Sequence, residues 1–308
     1  MSAFRSTVEL LTGDFGTQKL PSLPEYNVAS SMVLHDDTIL MIGGIGNHEN
    51  CLQLDLGTWK DHSTLTAEER ICHSAVATQT ATFVFGGTDS LFTYEYLPKG
   101  SNTWLKGKTE IPGGFRGCAI AVKSGEEILL FGECEYNEKR ILSFDVKNHT
   151  FRELSTELNV ERSGRSRCAY IPNTNKIMIT GGIWDDSTEI LDTEDESVTM
   201  ASPMNANRSD HGMGVLTING EDRLAVFGGT TDEPFKRDTV VDSVELYNAK
   251  TGKWETTDMK LTEAKEDFGF LELKLTKNVR KNLKFLKTKP ETKNVGNERS
   301  MWSFCNLL

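Results

Sequence analysis

Apolar positions along the chain fall into short runs, broken every few residues by Gly, Asn, Asp or clustered charge. The most regular run is apolar at consecutive positions and ends in a glycine doublet. It occurs as Ile39-Leu-Met-Ile-Gly43-Gly44, Thr82-Phe-Val-Phe-Gly86-Gly87, Ile177-Met-Ile-Thr-Gly181-Gly182 and Leu224-Ala-Val-Phe-Gly228-Gly229, with a degenerate copy, Ile128-Leu-Leu-Phe-Gly132-Glu133. The first glycines are 43, 46, 49 and 47 residues apart. Another apolar segment precedes each run (28–35, 72–78, 118–123, 168–171, 211–218). An alternating segment follows each (51–56, 91–97, 141–146, 189–192, 243–247), then a short one opening on Trp59, Trp104, Phe151, Val198 or Trp254. Runs of about five residues, rich in β-branched and aromatic side chains and bounded by turn residues, predict strands. The helical period is absent from the repeats. Four strands in a unit of roughly 45 residues predict the blade of a β-propeller.

The strand before each doublet has no polar face, as expected for a strand covered on both sides by neighbouring blades. The doublet lets the backbone turn or approach a neighbour without a Cβ in the way. A Trp on the outer strand supplies a large flat surface between blades.

As a set, these residues resemble the kelch repeat: apolar run and Gly-Gly, an alternating strand, then Trp. The Arg-x-x-His that leads into a unit (Arg70-Ile-Cys-His73, Arg208-Ser-Asp-His211) belongs to the same pattern. The resemblance covers about residues 6–275 and implies an all-β, kelch-type propeller. Glu133 in place of the second Gly and Val198 in place of Trp are departures in the third and fourth units.

The ends supply a sixth blade. Ser6-Thr-Val-Glu-Leu-Leu11 reads like Ser243-Val-Glu-Leu-Tyr247, a third strand, and 17–20 follows as a fourth. Residues 268–274 are a first strand after the fifth unit. The expectation is a six-bladed ring whose sixth blade joins N- and C-terminal strands, which leaves no free edge between first and last blades. Its second strand is expected at 282–287, without the Gly pair. Residues 274–293 carry eight Lys/Arg against Glu291, and Leu275, Val279, Leu283 and Leu286 fall at helical spacing. The segment therefore also reads as a basic amphipathic helix, for a membrane surface or a calmodulin-like partner. Residues 1–290 are assigned to the propeller and 291–308 to a disordered tail, of which Met301-Trp-Ser-Phe is the part that can dock.

Among 308 residues, 37 % are hydrophobic and 26 % charged, and net charge is −11. That balance fits a folded globular chain and excludes a whole-body nucleic-acid binder, which needs clustered cations. No apolar run reaches membrane-spanning length. The first residues lack the apolar stretch of a secretory leader. Six scattered cysteines without CxxC are expected to be free thiols in a cytoplasmic monomer.

Function in this architecture is expected on loops. Those leading into the inner strands carry Arg70, Arg116, Arg165 with Arg167, and Arg208; loops after the Gly pairs carry acids and aromatics, including Tyr136 and Trp184. Guanidinium forks bind carboxylates in pairs of bonds, and a concave mouth concentrates the field. The resemblance implies that Arg70, Arg116, Arg165 and Arg208 contact acidic peptide motifs, as in kelch adaptors of ubiquitin ligases, with Tyr136 and Trp184 as aromatic anchors. The expectation is a non-catalytic protein-interaction module without cofactor or metal, its partner a protein such as a ubiquitin-ligase or cytoskeletal component. The alternative, a kelch-type enzyme acting on a small molecule, finds no local support. The six histidines show neither His-x-His nor His-x-x-x-His, and no Gly-x-Ser-x-Gly or phosphate loop occurs.

Overall fold

The computed structural model describes residues 7–12, 16–25, 27–46, 49–66, 70–116, 119–132, 137–162, 165–231, 239–264, 266–274 and 299–305. Among them there is no helix, and the chain is an all-β propeller. Five blades each follow one continuous run, with four antiparallel strands in chain order from first strand to fourth. Blade 1 holds Ser31–His35, Thr38–Ile42, Asn50–Asp55 and Thr58–Thr64. Blade 2 holds Ser74–Ala77, Ala81–Phe85, Tyr94–Pro98 and Leu105–Lys106. Blade 3 holds Ala119–Ser124, Glu127–Phe131, Ile141–Asp145 and Thr150–Glu153. Blade 4 holds Arg167–Tyr170, Lys176–Gly182, Asp185–Asp192 and Val198–Ala201. Blade 5 holds Gly212–Ile218, Glu221–Phe227, Ser243–Asn248 and Lys253–Lys260.

A further four-stranded sheet is composite. Its strands run Phe270–Lys274, Arg299–Cys305, Thr7–Thr12 and Gly16–Leu20, so both ends of the chain meet in it. The second strand is not 282–287 as expected. Arg299–Cys305 takes that place, with Trp302 in register with Leu10 on one side and Leu271 on the other. The stretch assigned to a tail thus contributes a strand. The basic segment lies, beyond Lys274, outside the described residues.

The apolar second strands explain the packing. Side chains alternate across a strand, so each one feeds two interfaces. In blade 1, Leu40 and Ile42 meet Val84, Leu97 and Trp104 of blade 2. Ile39 and Met41 face the other way, onto Val8 and Leu10 of the composite sheet. Phe83 and Phe85 pack with Ile128, Leu130 and Phe144, and Leu129 and Phe131 with Ile177 and Ile179. Met178 joins Val215 and Leu224, and Ala225 and Phe227 join Leu11 and Phe268. The composite sheet is thereby packed against blade 5 on one side and blade 1 on the other. Each large side chain so buried stabilises the fold by about 1.5–3 kcal/mol. Two outer Trp residues stitch a blade to the sheet before it: Trp59 Nε1 donates to the Pro21 carbonyl at 3.1 Å and Trp104 Nε1 to Ser63 Oγ at 3.0 Å.

Candidate functional site

The arginines expected at the mouth divide into two groups. Arg70 is 1 % exposed. Its Nε donates to Glu95 Oε1 at 2.9 Å, its Nη1 to the Gly86 carbonyl at 2.6 Å and its Nη2 to Thr93 Oγ1 at 2.9 Å. Arg208 repeats the arrangement with Glu245 Oε1 (2.9 Å), the Gly228 carbonyl (2.7 Å) and Ser243 Oγ (2.8 Å). Arg162, which the sequence reading passed over, does the same with Glu189 Oε1 (2.8 Å) and the Gly181 carbonyl (2.9 Å), and adds Asp185 Oδ2 (2.7 Å). The second oxygen of each carboxylate accepts a backbone N–H: Thr66 at 2.5 Å, Asn159 at 2.5 Å and Asn205 at 2.8 Å. In the composite sheet Glu9 Oε2 accepts the Thr262 N–H at 2.9 Å and its hydroxyl at 2.6 Å.

Arg70 and Arg208 are therefore corrected from ligand contacts to internal locks. Each ties the loop before a blade to that blade's second and third strands, and its donors are already engaged in a place water does not reach. Burial pushes the Arg70 pKa below its ordinary value, and the Glu95 carboxylate works against that shift. The signal was present in the sequence as a Glu recurring on otherwise apolar third strands: Val8-Glu9-Leu10, Tyr94-Glu95-Tyr96, Thr188-Glu189-Ile190 and Val244-Glu245-Leu246.

Blade 3 has an apolar version of the lock. Gly87 donates its N–H to the Phe115 carbonyl as Gly44 does to Arg70 and Gly182 to Arg208, so Phe115 stands at the arginine position. Leu142 stands opposite Leu130 as Glu95 stands opposite Val84. Phe115 and Leu142 lie in one buried apolar cluster. In blade 1, Leu52 takes the glutamate position and Asn27 Nδ2 supplies the bond to the Gly43 carbonyl, at 2.8 Å.

Arg116 and Arg165 form the second group. Both are exposed and both line a cavity of about 1280 Å³ that runs between the first strands of the sheets. Thr88, Glu138, Arg167, Ile183, Asp210 and Asp267 share its wall. The loops around this mouth are joined edge to edge by backbone bonds. Cys72 N–H donates to Ala29 (3.2 Å), Ala29 to Asp267 (3.1 Å), Asp267 to Asp210 (3.2 Å) and Asp210 to Arg165 (3.2 Å). Each of these donors has a left-handed φ, between 48° and 56°, which turns the chain sharply from loop into inner strand.

The charged groups of the mouth are coupled. Arg165 Nη1 lies 3.1 Å from Asp210 Oδ2; the arginine side chain is 54 % exposed and the aspartate 8 %. Burial, then the Asp267 charge, pushes Asp210 up to about 7, while Arg167 and Arg165 oppose the shift. Burial also raises Asp267. Arg167 reaches across the channel, its guanidinium carbon 5.8 Å from the centre of the Phe270 ring. Cys72 and Cys168, also on the wall, are pushed up by burial to about 11 and 12 and so carry no thiolate at neutral pH.

Trp184 is 69 % exposed and follows Ile183 in the loop after the blade 4 glycine pair. Ile45 and Phe92 are exposed at corresponding loops of blades 1 and 2. Tyr136 lies outside the described residues. Among the described residues no group of three or more His, Cys, Asp or Glu is placed to hold a metal ion, and no helix is long and apolar enough to cross a membrane.

A solved structure titled "Structure of YjhT" is similar to this chain over 82 % of its length and 89 % of that chain, with a TM-score of 0.69 and 14 % identity. The likeness shows a β-propeller. No family model matches the sequence, and no curated protein matches it.

Proposed function

We propose that this chain is a kelch-type propeller whose composite sheet acts as a sixth blade, and that it is a non-catalytic module receiving an acidic segment of a protein partner at the channel mouth. One observation carries the reading: Arg116 and Arg165 are exposed and line a cavity that Ile183, itself exposed, also lines, and the neighbouring residue Trp184 is 69 % exposed. Guanidinium groups beside an exposed apolar side chain suit a carboxylate flanked by apolar residues. Burial shifts Asp210 and Asp267 toward their neutral forms, which lowers the negative charge that the wall sets against an incoming carboxylate. The kelch assignment rests on the residue pattern, and the ring on the packing of the composite sheet against blades 1 and 5.

The test uses a fluorescein-labelled octaglutamate peptide, with octalysine as control, read by anisotropy at low salt. The double variant Arg116→Ala/Arg165→Ala is expected to lose octaglutamate binding at least tenfold while its melting temperature stays within about 2 °C of the parent. Unchanged affinity in that variant defeats the reading. A second reading, an enzyme acting on a small molecule, draws on the same cavity and on a carboxyl group near neutrality beside a guanidinium. It differs in expecting no affinity for extended acidic peptides.

A further inference from the structure

Resting on the reading of the mouth as an acid-binding site, we propose that Asp210 is a built-in competitor for the ligand: its carboxylate holds Arg165, an incoming carboxylate must displace it, and binding is thereby coupled to uptake of a proton by the Asp210–Asp267 pair. Three features of the geometry carry this. The Arg165–Asp210 contact is 3.1 Å, so a guest carboxylate and Asp210 compete for one guanidinium. Asp210 and Asp267 are neighbours in the series of backbone bonds that joins these loops, Asp267 N–H bonding to the Asp210 carbonyl at 3.2 Å. That bond holds the two backbones together at the mouth, and the Asp267 charge acts on the Asp210 carboxyl. Both line the cavity into which the ligand would come.

The charged and titratable neighbours come from every loop packed around the pair. Arg165 and Arg167 lead into blade 4; Glu266 precedes Asp267 and accepts from Thr230 Oγ1; Cys72 and Arg116 lie on the loops of blades 2 and 3. The cations hold Asp210 ionised, and burial with the two neighbouring acids opposes them, leaving the carboxyl near the middle of its titration at neutral pH. When Arg165 turns to a guest carboxylate, Asp210 keeps Arg167 but loses one of its two cations, while Asp267 and Glu266 remain. Its proton affinity then rises and it takes a proton from solvent. The protonated carboxyl is a donor and no longer competes. The ligand class that fits is a carboxylate that stays ionised as the mouth protonates, as Asp and Glu side chains in water do. His73, the one histidine on the cavity wall among the described residues, is held by burial well below its ordinary pKa, at about 3, and does not titrate in this range.

The experiment follows octaglutamate anisotropy with the full chain from pH 6 to pH 8 at fixed low salt. A competitor that titrates near 7 leaves about a tenth as much open site at pH 8 as at pH 6, so affinity is expected to fall roughly tenfold across the range. Asp210→Asn is expected to bind at the pH 6 level throughout, since Asn is tolerated at a left-handed φ and cannot ionise. Wild-type calorimetry at pH 7 in phosphate and in Tris supplies a readout that needs no variant: about half a proton should be taken up per peptide bound. Binding that is equally tight at pH 6 and pH 8, or that proceeds without proton uptake, overturns the inference and leaves the acid-binding reading intact. No octaglutamate binding at any pH in either protein removes that reading and the inference with it.

Discussion

Replacing the lock of blade 5 by the apolar version that blade 3 already uses is the sharpest test of how the propeller is held together. Glu245→Leu alone leaves the Arg208 guanidinium buried beside a carbonyl and a hydroxyl but without its carboxylate, and strips the Asn205 N–H of its acceptor. Breaking a buried pair costs about 3–5 kcal/mol, and an orphaned N–H a further ~1–3 kcal/mol. Arg208→Phe alone strands the carboxylate instead and is expected to cost as much. Against a total stability of about 5–15 kcal/mol, either variant should be marginal at body temperature. The double variant Arg208→Phe/Glu245→Leu reproduces Phe115 and Leu142, two buried apolar side chains in contact within one cluster. It still orphans the Gly228 carbonyl and the Asn205 N–H, so a loss of about 1–3 kcal/mol is expected, well below the sum of the single variants. Urea unfolding followed by tryptophan fluorescence reads all three without screening ion pairs. Additive losses, or single variants that cost under about 1 kcal/mol, refute the lock.

Other expectations follow from the same geometry. Gly86→Ala should cost at least ~2 kcal/mol in the same urea assay, because φ is 65° there and a Cβ would run into the Phe115 carbonyl of the next blade. Asp210 has a folded pKa raised above its unfolded value, so its contribution to stability is present at low pH and lost as pH rises through about 7. The unfolding free energy from urea titrations should therefore decline between pH 5 and pH 8, and Asp210→Asn should flatten that decline by on the order of 2–4 kcal/mol. Cys51, buried and pushed up to about 12, should resist iodoacetamide at pH 8 in the native protein and react at once in urea, as mass spectrometry would show.

The repeat itself was legible in the sequence because it is written in side-chain period. A second strand that reads Ile39-Leu40-Met41-Ile42 with no polar face has to be covered on both sides, and a stack of such strands covers itself. The glycine pairs, the outer Trp residues and the meeting of the two chain ends follow from the same pattern. What the sequence by itself did not determine is which charged side chains look outward. Arg70 and Arg208 occupy like places in their repeats and Arg116 stands one position further on, a difference that the partners brought by folding make decisive. Glu95 and Glu245 come from third strands 25 and 37 residues further along, and their approach turns Arg70 and Arg208 inward. Blade 3 offers Leu142 and seats Phe115 beside it, and Arg116, one position later, is left exposed. The second strand of the composite sheet was misplaced for a related reason. Pairing in a sheet is decided by an edge that another part of the chain supplies, and the edge of Thr7–Thr12 lies far away in sequence from Arg299–Cys305. Local pattern sets which strands and faces exist; long-range pairing and the burial of charge decide what each one meets.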